Sequence, residues 1–180
     1  LTRQKKLRPH QRLQRNAQYT EAIRSVVAAA LQLTNPQKSP KVFLVTSSGP
    51  GEGKTTLAIS FAIYAALLQR RVLLIDLAFR HPAIARELGG PADSGILQAL
   101  QGQPPGVIRV APDLGIGYLP LSRDPVDPVA ILASERVPEL LRQLKESYDC
   151  VVIDSGPLLS ATEVRLLASM VDQVLFAVKW

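Results

Sequence analysis

Residues 42–56 read VFLVTSSGPGEGKTT, and their reading decides the fold. The first five are apolar or β-branched, which suits a strand buried on both faces of a parallel sheet. The run from Ser48 to Thr55 has the spacing G-x-x-x-x-G-K-[ST] of a P-loop, with Ser48 in place of the opening glycine. Gly51 and Gly53 let the backbone curl so that successive N–H groups point inward at phosphate oxygens. The helix expected over residues 54–69 adds the partial positive charge of its N-terminus. Gly49, Pro50, Gly51, Glu52, Gly53, Lys54, Thr55 and Thr56 are therefore the candidate nucleotide contacts. Lys54 suits the β- and γ-phosphates, the Thr55 hydroxyl Mg²⁺, and Thr56 the α-phosphate. These residues predict binding of ATP or ADP with Mg²⁺.

Two carboxylates extend the site. Asp76 follows Val-Leu-Leu-Ile and Asp154 follows Val-Val-Ile, two further runs that read as buried strands. Parallel neighbouring strands end at one edge of the sheet, where the P-loop also lies, so Thr55, Asp76 and Asp154 form the candidate metal set. Elsewhere, apolar spacing predicts helices over residues 20–33, 129–146 and 162–170, and short broken helices within 80–102. Strands are expected over 42–46, 72–75, 107–110, 116–119, 150–153 and 173–178. This alternation predicts an α/β fold of P-loop NTPase type, a three-layer αβα sandwich on a mostly parallel sheet.

Composition narrows the class. The chain has 180 residues, 47% of them apolar, enough for one sizeable core. Its longest apolar run, residues 57–68, is too short to cross a membrane. The chain begins at Leu1 rather than Met and is expected to be a soluble piece of a longer protein. The single Cys150 fits a reducing compartment and reads as a core residue. Six of the 21 basic residues (Arg3, Lys5, Lys6, Arg8, Arg12 and Arg15) lie in 1–18 without an acid, leaving 15 basic residues to balance 15 acidic ones. Residues 1–18 are accordingly expected to be a basic tail or linker suited to anionic lipid, and 19–180 the nucleotide-binding domain. The neutral body and a tail without aromatic residues exclude a nucleic-acid role.

Taken together, these motifs resemble the cytoplasmic domain of bacterial tyrosine autokinases, the partners or C-terminal halves of polysaccharide co-polymerases. Ser-Ser-Gly-Pro-Gly-Glu-Gly-Lys-Thr-Thr at 47–56 is close to the family's P-loop. Residues 72–82 resemble its apolar-run-D-x-D-x-R motif, 151–157 its apolar-run-D-x-x-P motif, and 125–134 its Pro-rich segment. The resemblance implies transfer of the ATP γ-phosphoryl group to tyrosine, with Lys54, Asp76 and Arg80 as the catalytic set. It also implies control of exopolysaccharide synthesis, a transmembrane co-polymerase segment in the same chain or a partner, and a place on the cytoplasmic face of the bacterial inner membrane. Self-association into a ring is implied through the helix carrying Glu21 and Arg24. Partition and septum-site ATPases are wider relatives and carry an extra lysine where this chain has Gly49.

Three departures bear on activity. Ala78 stands where the family's second Asp belongs. Alanine neither accepts a proton nor ligates a metal, so nucleotide binding is a firmer expectation than phosphoryl transfer. Val27 replaces the last Arg of the family's E-x-x-R-x-x-R helix, which predicts a weakened or apolar ring contact. No tyrosine cluster is present; Tyr19, Tyr64, Tyr118 and Tyr148 are scattered. Two alternatives to an active kinase follow: a pseudokinase that binds ATP or ADP with Mg²⁺ and sets oligomeric state, and a partition-type ATPase.

Overall fold

A computed structural model describes residues 8–31, 41–91, 93, 95–101, 108–122 and 126–179. Its order is α1 (Pro9–Arg15), α2 (Ala17–Ala30), β1 (Val42–Ser47), α3 (Lys54–Leu67), β2 (Val72–Leu77), α4 (Ile84–Leu88), α5 (Gly95–Leu100), β3 (Arg109–Ala111), β4 (Ile116–Leu119), α6 (Pro128–Leu132), α7 (Arg136–Ser147), β5 (Cys150–Ser155), α8 (Glu163–Ala168) and β6 (Gln173–Ala177). The six strands form one sheet in the order β3-β4-β2-β5-β1-β6. All neighbours are parallel except β3, which runs antiparallel to β4 at one edge. The expected three-layer sandwich is what forms.

Every residue of β1, β2 and β5 is buried. Their side chains alternate between two cores, as a period of two dictates. Phe43, Val45, Leu74 and Val152 face α2 and α3; Val42, Leu44, Leu73, Ile75, Val151 and Ile153 face α5 to α8. On the first side the rings of Phe43 and Phe61 meet at 5.1 Å. Burying one such ring contributes about 1.5–3 kcal/mol. Cys150 lies in this core, fully buried, and burial pushes its thiol up to about 12. It is therefore expected to resist thiol reagents in the native protein and to label only after denaturation, as mass spectrometry with and without urea will read.

Three elements depart from the expectations. Residues 9–15, read as part of a basic tail, are a helix. Pro9 is buried at its first position and Leu13 packs on the first core, four residues on, so one narrow apolar edge seats a charged helix. Residues 1–7 lie outside the described residues, and with them Arg3, Lys5 and Lys6. Helix α2 starts at Ala17 because Asn16 accepts the Tyr19 N–H at 2.9 Å, and Thr20, expected as the cap, instead donates to Leu13 O at 2.6 Å and ties α1 to α2. The single helix expected over 129–146 is two. A proline inside one long helix would clash with residue 134 and forfeit a hydrogen bond; a break at 133–135 puts Pro138 in the first turn of α7, where it is tolerated. The Ser134 hydroxyl donates to Ile131 O at 2.7 Å and seals the break.

The ring expectation changes as well. Glu21 and Arg24 are exposed and pair with each other at 2.7 Å, while Val27 is wholly buried in the first core. An apolar contact through Val27 is thus excluded, because that side chain already packs inside its own domain. No described helix is long and apolar enough to cross a membrane.

Candidate functional site

Strand order places the site. β5 lies between β2 and β1, with Asp76 opposite Asp154 and Val45 opposite Asp154 in register. The loop leaving β1 therefore passes beside Asp154, at the carboxyl edge of the sheet. Gly51 and Gly53 have φ of 78° and 91°, a left-handed conformation that side-chain-bearing residues rarely adopt. Gly53 caps α3, whose first residues are Lys54, Thr55 and Thr56.

The loop is braced from within. The Glu52 carboxylate accepts from Gly49 N at 2.8 Å and from the Ser48 hydroxyl at 3.0 and 2.9 Å. The bond from Gly49 and then that from Ser48 hold its carboxyl below the usual range. Glu52 thus shapes the loop with its side chain. Lys54 Nζ donates to Gly49 O at 3.3 Å, and the Ser47 hydroxyl donates to the same oxygen at 2.7 Å. The loop is also sewn to the segment after β5. Thr46 Oγ1 donates to Gly156 O at 2.9 Å, Ser155 Oγ to Val45 O at 2.9 Å, and Leu158 N to Ser47 O at 2.8 Å.

The two aspartates are buried and differ. Asp76 accepts from Ala78 N at 3.1 Å, Ala83 N at 2.9 Å and Ile84 N at 3.0 Å, which folds residues 78–84 into a turn and anchors the start of α4. Burial still raises its carboxyl above the usual range. Asp154 is wholly buried, and both its oxygens lack a hydrogen-bond partner. Burial, then the charge of Asp76, raises it further; the nearby Thr55 hydroxyl and Lys54 ammonium pull the other way without making a bond of ordinary geometry. Two bare carboxylate oxygens beside Thr55 and the P-loop fit a hard divalent cation whose remaining ligands are phosphate and water. Among the described residues no three His, Cys, Asp or Glu side chains cluster, so the protein offers no all-protein cage.

Two clefts flank the loop. One, of about 410 Å³, is lined by Pro9, Arg12, Gly53, Thr56 and Glu87, among others; the other, of about 390 Å³, by Pro50, Ala78, Arg80, His81 and residues 155–157. Gly51, Lys54, Thr55, Ala83 and Arg86 line both. Every nucleotide and metal candidate from the sequence except Gly49, Glu52, Asp76 and Asp154 thus lines one of the two clefts; Gly49 and Glu52 belong to the loop itself, Asp154 lies near Thr55 and Lys54, and Asp76 is its neighbour across the sheet. Arg80 is exposed and forms no ion pair among the described residues. Arg86 escaped the sequence reading because it falls outside every motif. Tyr19, Tyr64, Tyr118 and Tyr148 are each buried or half-buried.

The sequence profile of the CobQ/CobB/MinD/ParA nucleotide binding domain (CbiA) matches residues 43–174. The succinoglycan biosynthesis transport protein ExoP of Rhizobium meliloti is 28% identical over 96% of this chain and 23% of its own length. The chain thus spans under a quarter of that relative. The chromosome-partitioning ATPase Soj of Thermus thermophilus is 38% identical over 73% of this chain and 52% of its own. Among solved structures, the BceF tyrosine kinase domain superposes with a TM-score of 0.75 at 27% identity, over 91% of this chain and 67% of that one.

Proposed function

The chain belongs to the CobQ/CobB/MinD/ParA nucleotide-binding family, and on that premise we propose that it is the Mg²⁺-nucleotide module of a tyrosine-autokinase-like protein serving exopolysaccharide synthesis, with impaired phosphoryl transfer. The observation that carries the binding half is the unpartnered Asp154 carboxylate beside a braced P-loop. Likeness to a tyrosine kinase domain and to a succinoglycan transport protein supports the kinase and polysaccharide halves. On this reading the protein acts at the cytoplasmic face of the inner membrane, next to a transmembrane co-polymerase segment.

In this assignment Lys54 and the N–H groups of 51–56 hold the polyphosphate, and Thr55 and Asp154 hold Mg²⁺. Bound Mg²⁺ supplies charge neutralisation on the phosphates. Asp76 keeps the 78–84 turn in place and presents its spare lone pairs to the same edge. Transfer moves the γ-phosphorus from the β-phosphate bridging oxygen to a tyrosine oxygen, with the hydroxyl proton passing to a base. A base is what position 78 lacks: Ala78 lines the second cleft beside Arg80 and His81, and its methyl accepts no proton. None of the four tyrosines is exposed: Tyr118 is buried and Tyr19, Tyr64 and Tyr148 are half-buried.

Purified protein incubated with Mg·ATP is expected to give little phosphotyrosine on itself or on an added Tyr-rich peptide, and Ala78→Asp to raise the rate about 10²-fold or more, the usual contribution of a placed general base. Rapid phosphotyrosine formation by the unaltered chain would overturn the impaired reading. A partition-type ATPase is the second reading, favoured by the identity to Soj. The Ala78→Asp variant separates the two, because a partition-type ATPase releases inorganic phosphate and would leave tyrosine unlabelled in that variant as well.

A further inference from the structure

Of the side chains that line both clefts around the P-loop, two are cations: Lys54 and Arg86. The P-loop motif accounts for Lys54. Arg86 has no part in any motif, yet the turn before it fixes its place. It sits on α4, three residues beyond Ala83 and two beyond Ile84, whose N–H groups are held by the buried Asp76 carboxylate. The charge of Arg86 in turn acts on Asp76. Its partner is Glu87, the adjacent residue, at 3.0 Å. The Arg86 side chain of that pair is 64% exposed, and exposed pairs are weak and easily exchanged.

Resting on the nucleotide reading above, we propose that Arg86 leaves Glu87 when nucleotide binds and holds the terminal phosphate at the junction of the two clefts. The argument is one of position and charge. The first cleft carries Gly53 and Thr56, the groups for the inner phosphates. The second carries Ala78 and Arg80, where an acceptor would approach. A phosphoryl group passing from nucleotide to acceptor lies where the two meet. A guanidinium there matches phosphate oxygens with two parallel N–H groups, which the point charge of Lys54 does not. Asp76 is the positioning residue for this contact: its bonds to Ala83 and Ile84 fix the helix that carries Arg86.

The test is calorimetric titration of the whole chain with Mg·ADP and with a non-hydrolysable Mg·ATP analogue. Arg86→Gln is expected to weaken the ATP analogue about tenfold and ADP less than about threefold, since a hydrogen bond to a charged group is lost on one phosphate alone. Arg86→Lys is expected to recover part of the loss. Glu87→Gln, which removes the present partner, is expected to leave the ATP analogue as tight or tighter. Unchanged affinities in Arg86→Gln, with Lys54→Ala abolishing both, would reduce Arg86 to the partner of Glu87 and overturn the proposal while sparing the nucleotide site. An equal loss in Glu87→Gln would trace the effect to the broken ion pair and overturn it likewise. If Lys54→Ala also binds both nucleotides normally, the nucleotide reading itself fails, and the proposal with it.

Discussion

Lys54→Ala is expected to remove measurable Mg·ADP binding, a loss of at least about 100-fold. A charged hydrogen bond to phosphate contributes roughly 1.5–3 kcal/mol, and of the two phosphates assigned to Lys54 ADP retains the β-phosphate. The loop compounds the effect. Lys54 Nζ donates to Gly49 O, and Ser47 shares that oxygen, so truncation loosens the turn that aims the N–H groups. Folding is expected to be nearly unaffected. Lys54 is half-exposed and its one bond is long, at 3.3 Å, so the melting temperature should move little. Calorimetry on both proteins reads the affinity, and a melt of each confirms the fold. Equal affinity in the two would show that residues 48–55 are only a glycine-rich turn.

The loop, the strands and both aspartates were legible in the sequence because each rests on local chemistry. Gly51 and Gly53 take the left-handed φ that a curled loop demands. β1, β2 and β5 are buried on both faces and read as unbroken apolar runs. The register that puts Asp76 opposite Asp154 followed from both ending such runs. What escaped was set by tertiary packing. The charge of residues 8–15 hid an apolar edge of Pro9 and Leu13 that closes over α3. Val27 sits on the buried side of α2, a matter of where that helix docks. The break before Pro138 was readable from proline chemistry, but the apolar spacing on both sides of it outweighed that signal. The Asp76 bonds to Ala83 and Ile84 span seven and eight residues of loop, a separation for which no spacing rule exists. Arg86 enters the site only through that turn.

Asp154→Asn is expected to make the empty protein more stable at neutral pH, by about 1–3 kcal/mol, while abolishing the Mg²⁺ dependence of nucleotide binding. The two effects have one cause. A wholly buried carboxylate with no hydrogen-bond partner is costly to charge, and a neutral amide removes that cost although it too lacks a partner. The same physics fixes the pH dependence. Burial raises both Asp154 and Asp76 above the unfolded value of about 3.9, so between that value and their folded values the native state holds more protons than the unfolded chain. Stability of the nucleotide-free protein should therefore fall as pH rises from about 4 to about 8, most steeply below about 6 where Asp76 also titrates, then level off. Asp149 has the opposite sign: Arg71 holds it down at about 2, so its contribution disappears only as pH falls below about 4, outside that window. Metal binding runs counter to the first trend. Mg²⁺ must displace the proton that Asp154 keeps, so affinity for Mg·ADP should rise over the same pH range in which the empty protein weakens. Denaturant melts and calorimetry from about pH 4.5 to about pH 8, on both proteins, read the two slopes. In the Asn variant both should flatten, the stability slope to what Asp76 alone retains. An unaltered stability slope in that variant would place the retained proton elsewhere, and unaltered Mg²⁺ dependence would remove Asp154 from the metal site.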